Sequence, residues 1–417
     1  MENVSVIEMA RRAQKASRIL AAIDGKKREK ALNLMSVKLE NVKDELLEAN
    51  KLDVLAASEA GISGPLLKRL EINEKVFSYM KKRLLEAAAL PDPLGRTLHG
   101  HTQPSGLQVK KISVPLGVIG IIYESRPNVT TDAAAVCLKS GNAVILKGGS
   151  ESIATNLVLV KAMKVAIIES GLPEDAVQLI SQSGHEVVGE LLKLDQYIDV
   201  IIPRGGKNLI RRISSESTIP VIKHYDGICH QYIASDADKE KAINLIINSK
   251  CQKVETCNSL ESVLIDQKAV DTILPDLMIA LKDKQIEIRG CPVICSLYSD
   301  ANKATEEDWS TEYLDYILSV KVVEGVEEAV NHINTYGSGH TDGIITTSIE
   351  KADYFVKNVD SASVLVNAST RLSGGGDYGM GAVVGISTDK LHARGPVGPE
   401  ELTSYKWIAR GDGHLRI

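Results

Sequence analysis

From residue 118 onward, short apolar runs alternate with helical segments, and this pattern constrains the fold more than any other. The runs 118–123, 143–146, 177–180 and 198–202 are rich in Ile and Val, and Val118-Ile-Gly-Ile-Ile-Tyr123 has no polar alternation. A strand without a polar face is covered on both sides, as in a parallel sheet packed between helices. Helical patterns at 152–170, 185–194 and 205–215 fill the intervals, and further strands are expected at 220–222 and 231–234. Such alternation implies right-handed crossovers and an α/β, doubly wound parallel sheet. Sheets of this kind bind ligands beyond the carboxyl ends of their strands.

The flanks read differently. Val6, Met9, Ala13, Ala16 and Leu20 keep a helical period that Gly25 can stop. A second helix is expected over 26–46, and a third opens at 63–66, with Pro65 in its first turn. Residues 107–113 alternate apolar and polar, as a half-exposed strand does. A second α/β unit starts near Cys251, with strands at 262–265, 317–323, 342–346 and 363–366 and helices at 267–282, 325–335 and 349–357. From Gly374 the chain is glycine-rich and ends in an extended tail.

Composition excludes several classes. With 417 residues and a net charge of −5, the chain has no basic field to hold a nucleic acid. Two Trp and two Phe are too few for base-stacking platforms. No apolar run reaches membrane-spanning length, and no secretory signal opens the sequence. Glu2 and Glu8 argue against a transit peptide. The six cysteines are dispersed without a CxxC pair, which suits reduced thiols in a cytoplasmic protein. His99 and His101 form the closest His pair, no Cys pair accompanies them, and no metal site is expected.

Gly374-Gly-Gly376-Asp-Tyr-Gly379 satisfies GxGxxG, but a dinucleotide fingerprint lies between an early strand and a helix, and this segment is late with no helical pattern after it. Lys147-Gly-Gly-Ser150 instead sits between a strand and a helix, where backbone amides can take a phosphate. Pro203-Arg-Gly-Gly-Lys207 repeats that logic. Both segments also read as ordinary strand-to-helix turns. Cys257 lies in a polar loop at the expected domain junction, where a nucleophile can be exposed. A cysteine is more often a small buried hydrophobe, which Cys137 and Cys229 suit better, while Cys291 and Cys295 bracket an expected strand at 292–294. Arg126-Pro-Asn128 comes after a strand and offers an amide donor for an oxyanion, or a plain Asn turn.

Together these segments resemble the aldehyde dehydrogenase superfamily and, within it, the gamma-glutamyl phosphate reductases. The most specific stretches are Tyr123-Glu-Ser-Arg-Pro-Asn-Val-Thr130, Gly141-Asn-Ala-Val-Ile-Leu-Lys147-Gly-Gly, Ile202-Pro-Arg-Gly-Gly, Glu255-Thr-Cys257-Asn and Gly385-Ile-Ser-Thr-Asp-Lys-Leu-His-Ala-Arg-Gly-Pro396. The resemblance implies NADPH-dependent reduction of L-glutamyl 5-phosphate, with Cys257 as nucleophile and Asn128 in the oxyanion hole. It assigns Lys147, Gly148, Ser150, Arg204, Gly205, Gly206 and Glu312 to NADP. Arg126, Thr370, Arg371, His392 and Arg394 are the candidates for gripping substrate. It implies an NADP-binding domain over 1–250, interrupted by an arm strand at about 105–117. A catalytic domain over 251–385 and a return segment with an oligomerisation tail over 386–417 complete it. A homo-oligomer is expected, with glutamate 5-kinase as a candidate associate. Hydrolytic relatives carry a Glu-Leu-Gly-Gly general base, whereas the comparable stretch here is Lys223-His-Tyr-Asp-Gly-Ile-Cys-His230. The chain departs from relatives at Leu372-Ser-Gly-Gly and at Gly381-Ala-Val383. An aldehyde dehydrogenase of another substrate and a non-catalytic scaffold are the alternatives.

Overall fold

The computed structural model describes residues 4–416, so residues 1–3 and 417 of the expected domains lie outside the described residues. The chain forms two units. The first runs to Lys223 and takes in Gly379–Gly385 and the stretch from Val397; the second comprises His224–Tyr378 and Ile386–Pro396. None of the described helices is long and apolar enough to cross a membrane.

In the first unit, four parallel strands among the described residues lie in the order Val177–Leu179, Ala143–Lys147, Val118–Tyr123, Val200–Arg204. Every residue of Val118–Tyr123 is buried, because both neighbouring strands and the covering helices close over it. Helices Asn128–Lys139, Ile153–Glu169, His185–Leu191 and Lys207–Glu216 alternate with the strands. The helix expected over 26–46 is instead two, Gly25–Asn41 and Lys43–Glu59, because Val42 leaves helical geometry. Asp53 fastens this layer to the sheet domain by accepting the Thr155 N–H at 2.8 Å and its hydroxyl at 2.6 Å. Buried Arg28 does the same, pairing with Asp92 and donating to the Lys139 carbonyl, each at 2.8 Å.

A separate three-stranded antiparallel sheet joins Thr97–Thr102, Gln108–Pro115 and Thr403–Arg410. Its first strand is exposed throughout, so its sequence carries no apolar alternation to announce it.

The second unit is built on a seven-stranded parallel sheet among the described residues. Its order is Asn302–Lys303, Glu287–Gly290, Ile317–Val323, Leu260–Asp266, Cys229–Ile233, Thr341–Ile345, Ser363–Val366. Cys229–Ile233 thus sits near the centre of the second sheet, not in the first, and the chain enters the second unit at His224, where sequence reading placed residue 251. Buried Asp342 anchors it by accepting the His230 N–H at 2.8 Å and binding the His230 ring at 2.9 Å. Two local expectations fail. Residues 292–294 are helical, within Pro292–Leu297, because Pro292 opens a helical turn that the Cys295 N–H closes onto the Cys291 carbonyl at 3.0 Å. Residues 220–222 form no strand, and Val221 makes an isolated bridge to Ile201.

Candidate active site

Three neighbouring strands of the second sheet bring the chemistry together. His224 precedes Cys229–Ile233, Cys257 precedes Leu260–Asp266, and His340 precedes Thr341–Ile345. The sites of attachment are therefore the amino ends of the strands, opposite to the ends that parallel sheets usually use. Cys257 Sγ and one ring nitrogen of each His lie within 4.8 Å of one another.

Cys257 is half-buried in a tight turn. Thr256 donates its hydroxyl to the Lys253 carbonyl at 2.9 Å, and Ser259 N–H donates to the Thr256 carbonyl at 2.9 Å. Asn258 donates its amide to the Ser373 carbonyl at 3.0 Å, tying the turn to 369–373. Cys229 donates its thiol to the Cys257 carbonyl at 3.2 Å. Burial pushes the Cys229 thiol well up, so it stays protonated and remains a donor. Gly227 completes the support. A Cβ there would stand 1.8 Å from the Cys257 carbonyl oxygen and 2.7 Å from its Cα, so only glycine admits this approach.

The surroundings set the charges. Burial pushes His340 down to about 4, so its imidazole is neutral at pH 7. Arg371 is lowered by its burial, an effect that Cys257, Asp377 and Glu255 oppose. A guanidinium thus lies close to the Cys257 turn. Arg371 also donates from Nε to Gln252 Oε1 at 2.9 Å. Beneath the turn, Lys250 and Glu261 pair at 2.7 Å with both side chains buried.

The remaining expected residues of the second unit are more scattered. Glu312 accepts the Gly227 N–H at 2.9 Å, which links it to the glycine supporting Cys257. Thr370 is fully buried, and its N–H donates to Ser249 Oγ at 3.1 Å. His392 is exposed with a φ of 68°. Arg394 donates from Nη2 to the Asp360 carboxylate at 2.8 Å and to its carbonyl at 3.0 Å.

In the first unit, Lys147 and Arg204 end their strands at the carboxyl edge. Lys147 donates to the Gly148 carbonyl at 2.8 Å. A Cβ on Gly148 would meet Asn156 Nδ2 at 2.4 Å, so the turn is a cradle that a side chain would fill. Ser150 is exposed and opens the turn that leads into Ile153–Glu169. Gly206 caps helix Lys207–Glu216, and its N–H already holds a carboxylate oxygen of Glu124 at 2.9 Å. That donor is oriented for an anion such as a phosphate. A Cβ on Gly205 would lie 2.3 Å from the same Glu124 oxygen. Arg126 is half-buried and accepts the Val129 N–H at its carbonyl, 2.9 Å away. Asn128 opens helix Asn128–Lys139, with its amide 3.4 Å from Asp132. Burial pushes Asp132 up to about 6. Gly374–Gly379 lies in turns with no helix after it, as its context implied.

Residues 1–289 match the aldehyde dehydrogenase family. Gamma-glutamyl phosphate reductase of Moorella thermoacetica is 48% identical over 405 residues, 97% of each chain. The chain belongs to the aldehyde dehydrogenase family, in its gamma-glutamyl phosphate reductase branch. The crystal structure of gamma-glutamyl phosphate reductase from Thermotoga maritima is 40% identical, with a TM-score of 0.96 over 99% of this chain and 100% of that one. Its counterpart from Saccharomyces cerevisiae is 32% identical, with a TM-score of 0.55 over 99% of both chains. The α/β, aldehyde dehydrogenase-like fold read from the sequence is thereby established, as is an oxidoreductase of this family.

Sequence reading missed Gly227, His224 and His340 as parts of the site. His224 and His340 are 116 positions apart and share no motif, so only the strand order unites them. Gly227 carried a faint signal, since it lies in the stretch compared with the missing Glu-Leu-Gly-Gly segment.

Proposed function

We propose that this protein reduces L-glutamyl 5-phosphate to L-glutamate 5-semialdehyde and phosphate, the second step from glutamate to proline. The Cys257 thiolate attacks the acyl carbon, the carbon–oxygen bond to phosphate breaks, and phosphate leaves with the electron pair. A glutamyl thioester remains on Cys257. Lys147, Gly148, Ser150 and the 204–206 turn would hold NADPH, with Glu312 on its ribose, and the bound cofactor would supply the hydride that reduces the thioester. The resulting hemithioacetal collapses, releasing the aldehyde and regenerating the thiolate. Asn128 and the Cys257 N–H hold the oxyanion in both halves of the reaction. Arg371, Arg126 and His392 supply cationic and hydrogen-bonding contacts for an anionic substrate. Arg394 acts through Asp360 to hold the 386–396 segment.

The observation that carries the reading is the placement of Cys257. It is a half-buried thiol in a turn whose carbonyl is fixed by Cys229 and approached by Gly227, beside the Arg371 guanidinium. The stretch that carries a carboxylate base in hydrolytic relatives has no Glu-Leu-Gly-Gly segment here, and it sets His224 beside the thiol. A water-activating base would waste the thioester, so its lack suits a phosphate-releasing reductase. The three-stranded sheet exposes Tyr405 and Trp407 and serves to pair subunits in a homo-oligomer, with glutamate 5-kinase as a further partner.

The test is to mix the protein with glutamate 5-semialdehyde and NADP in the absence of phosphate, quench, digest and weigh the peptides. A glutamyl adduct is expected on the peptide carrying Cys257. An adduct on another cysteine, or none under conditions where a burst of NADPH forms, overturns the assignment.

A further inference from the structure

His224, Cys257 and His340 cluster, with one potential ligand atom of each within 4.8 Å of the others. Both imidazoles are held in one tautomer by fixed acceptors. His224 Nδ1 lies 2.9 Å from the Ile386 carbonyl oxygen, which can only accept, so Nδ1 carries the proton. His340 Nδ1 lies 2.9 Å from Thr341 Oγ1. The Thr341 hydroxyl proton goes to Ser373 Oγ at 2.8 Å, so Thr341 accepts from His340. Both Nε2 lone pairs are therefore available. His340 is fully buried, and its Nε2 has no hydrogen-bond partner among the described residues. A buried nitrogen left unsatisfied is destabilising unless something uses it. The rings stand edge to face, with centroids 5.5 Å apart.

An Nδ1–H tied to a carbonyl or hydroxyl, with Nε2 turned to a shared point, is how histidines are oriented as metal ligands. A cysteine sulfur and two imidazole nitrogens form a donor set for zinc, which takes nitrogen and sulfur ligands tetrahedrally. With the ligand atoms within 4.8 Å of one another, small side-chain rotations bring all three to one ion and leave its fourth position open.

We propose that His224, Cys257 and His340 form a zinc-binding site that reversibly withdraws the nucleophile. Binding transfers the Cys257 proton to solvent and forms one zinc–sulfur and two zinc–nitrogen bonds. The occupied thiolate cannot attack an acyl phosphate, so zinc inhibits turnover and shields the thiol from alkylation. The inhibition rests on Cys257 being the nucleophile; the binding does not.

The full-length protein, freed of metal, is titrated with Zn2+ against a chromophoric chelator, and with Co2+ for its spectrum. One equivalent is expected to bind, with a thiolate-to-cobalt charge-transfer band that Cys257→Ser abolishes. His224→Ala and His340→Ala should each weaken zinc binding at least about tenfold. Thermal melting checks that buried His340→Ala remains folded, and half-buried His224→Ala gives an independent reading if it does not. Absence of stoichiometric binding, a band that survives in Cys257→Ser, or unchanged affinity in a folded His variant overturns the site. Stoichiometric zinc binding with the band, but undiminished turnover, keeps the site and removes Cys257 as nucleophile. Turnover that needs Cys257 but ignores zinc, with no metal bound, does the reverse.

Discussion

Gly227→Ala tests the architecture around Cys257 most locally. The new Cβ would lie 1.8 Å from the Cys257 carbonyl oxygen, while real Cβ atoms essentially never approach closer than 3.0 Å. Backbone must therefore move, and moving from 1.8 Å to 3.0 Å is a shift of about 1.2 Å. The obstructing atoms are main chain, so no side chain can rotate away. Cys229 donates to the same carbonyl, and the Gly227 N–H binds Glu312, so both contacts shift as well. A misplacement of about 1 Å at a reacting centre can cost about 100-fold in rate. Overpacking costs about 1–3 kcal/mol of stability, against a usual total of about 5–15, so the variant still folds. The assay measures kcat with glutamate 5-semialdehyde, NADP and phosphate, alongside the rate of Cys257 alkylation and the melting temperature. A folded variant with kcat reduced about 100-fold and altered thiol reactivity is expected. A kcat within about threefold of the parent, with unchanged alkylation, refutes the argument that this contact positions the nucleophile.

Lys250→Met strands buried Glu261, which burial already pushes up to about 7, and should cost about 3–5 kcal/mol in urea unfolding. Lys250→Met with Glu261→Leu should recover most of it, and a single variant as stable as the parent would contradict the pairing. Burial holds His332 down at about 3 against an ordinary 6.5, so the unfolded chain takes up a proton first as pH falls, and stability is lost from about pH 6.5 downward. His332→Gln should remove about 2 kcal/mol of the loss between pH 6.5 and 5, and an identical pH slope in the variant would count against it. Asn128→Ala should lower kcat about 100- to 1000-fold with NADPH affinity unchanged, and a loss below about tenfold removes Asn128 from the oxyanion hole.

The periodic part of the fold was legible because burial on two faces leaves a continuous apolar run. Val118–Tyr123 announces itself in that way, whereas exposed Thr97–Thr102 does not. Strand membership was less legible. Cys229–Ile233 has the composition of either sheet, and its pairing with Leu260–Asp266 and Thr341–Ile345, backed by Asp342 more than a hundred positions later, fixes it in the second. Residues 292–294 mislead for a related reason, since a short apolar run suits strand and helix equally, and Pro292 decides for helix. At the site, local motifs pointed to Cys257, Lys147 and Arg204, because each sits at a strand edge within a recognisable segment. The pairing of Arg394 with Asp360 was invisible, because Asp360 lies in a distant loop. The His224–His340 pairing was hidden likewise, as it depends on which strands are neighbours.

The central claim is that Cys257 hands its acyl group to phosphate or hydride and never to water. The direct measurement is the reverse reaction, with glutamate 5-semialdehyde and NADP, monitored as NADPH absorbance with and without phosphate or arsenate. Steady turnover is expected only when phosphate or arsenate is present, with no more than a single burst in its absence. Equal steady rates without either anion would mean that water resolves the thioester, and would contradict the claim.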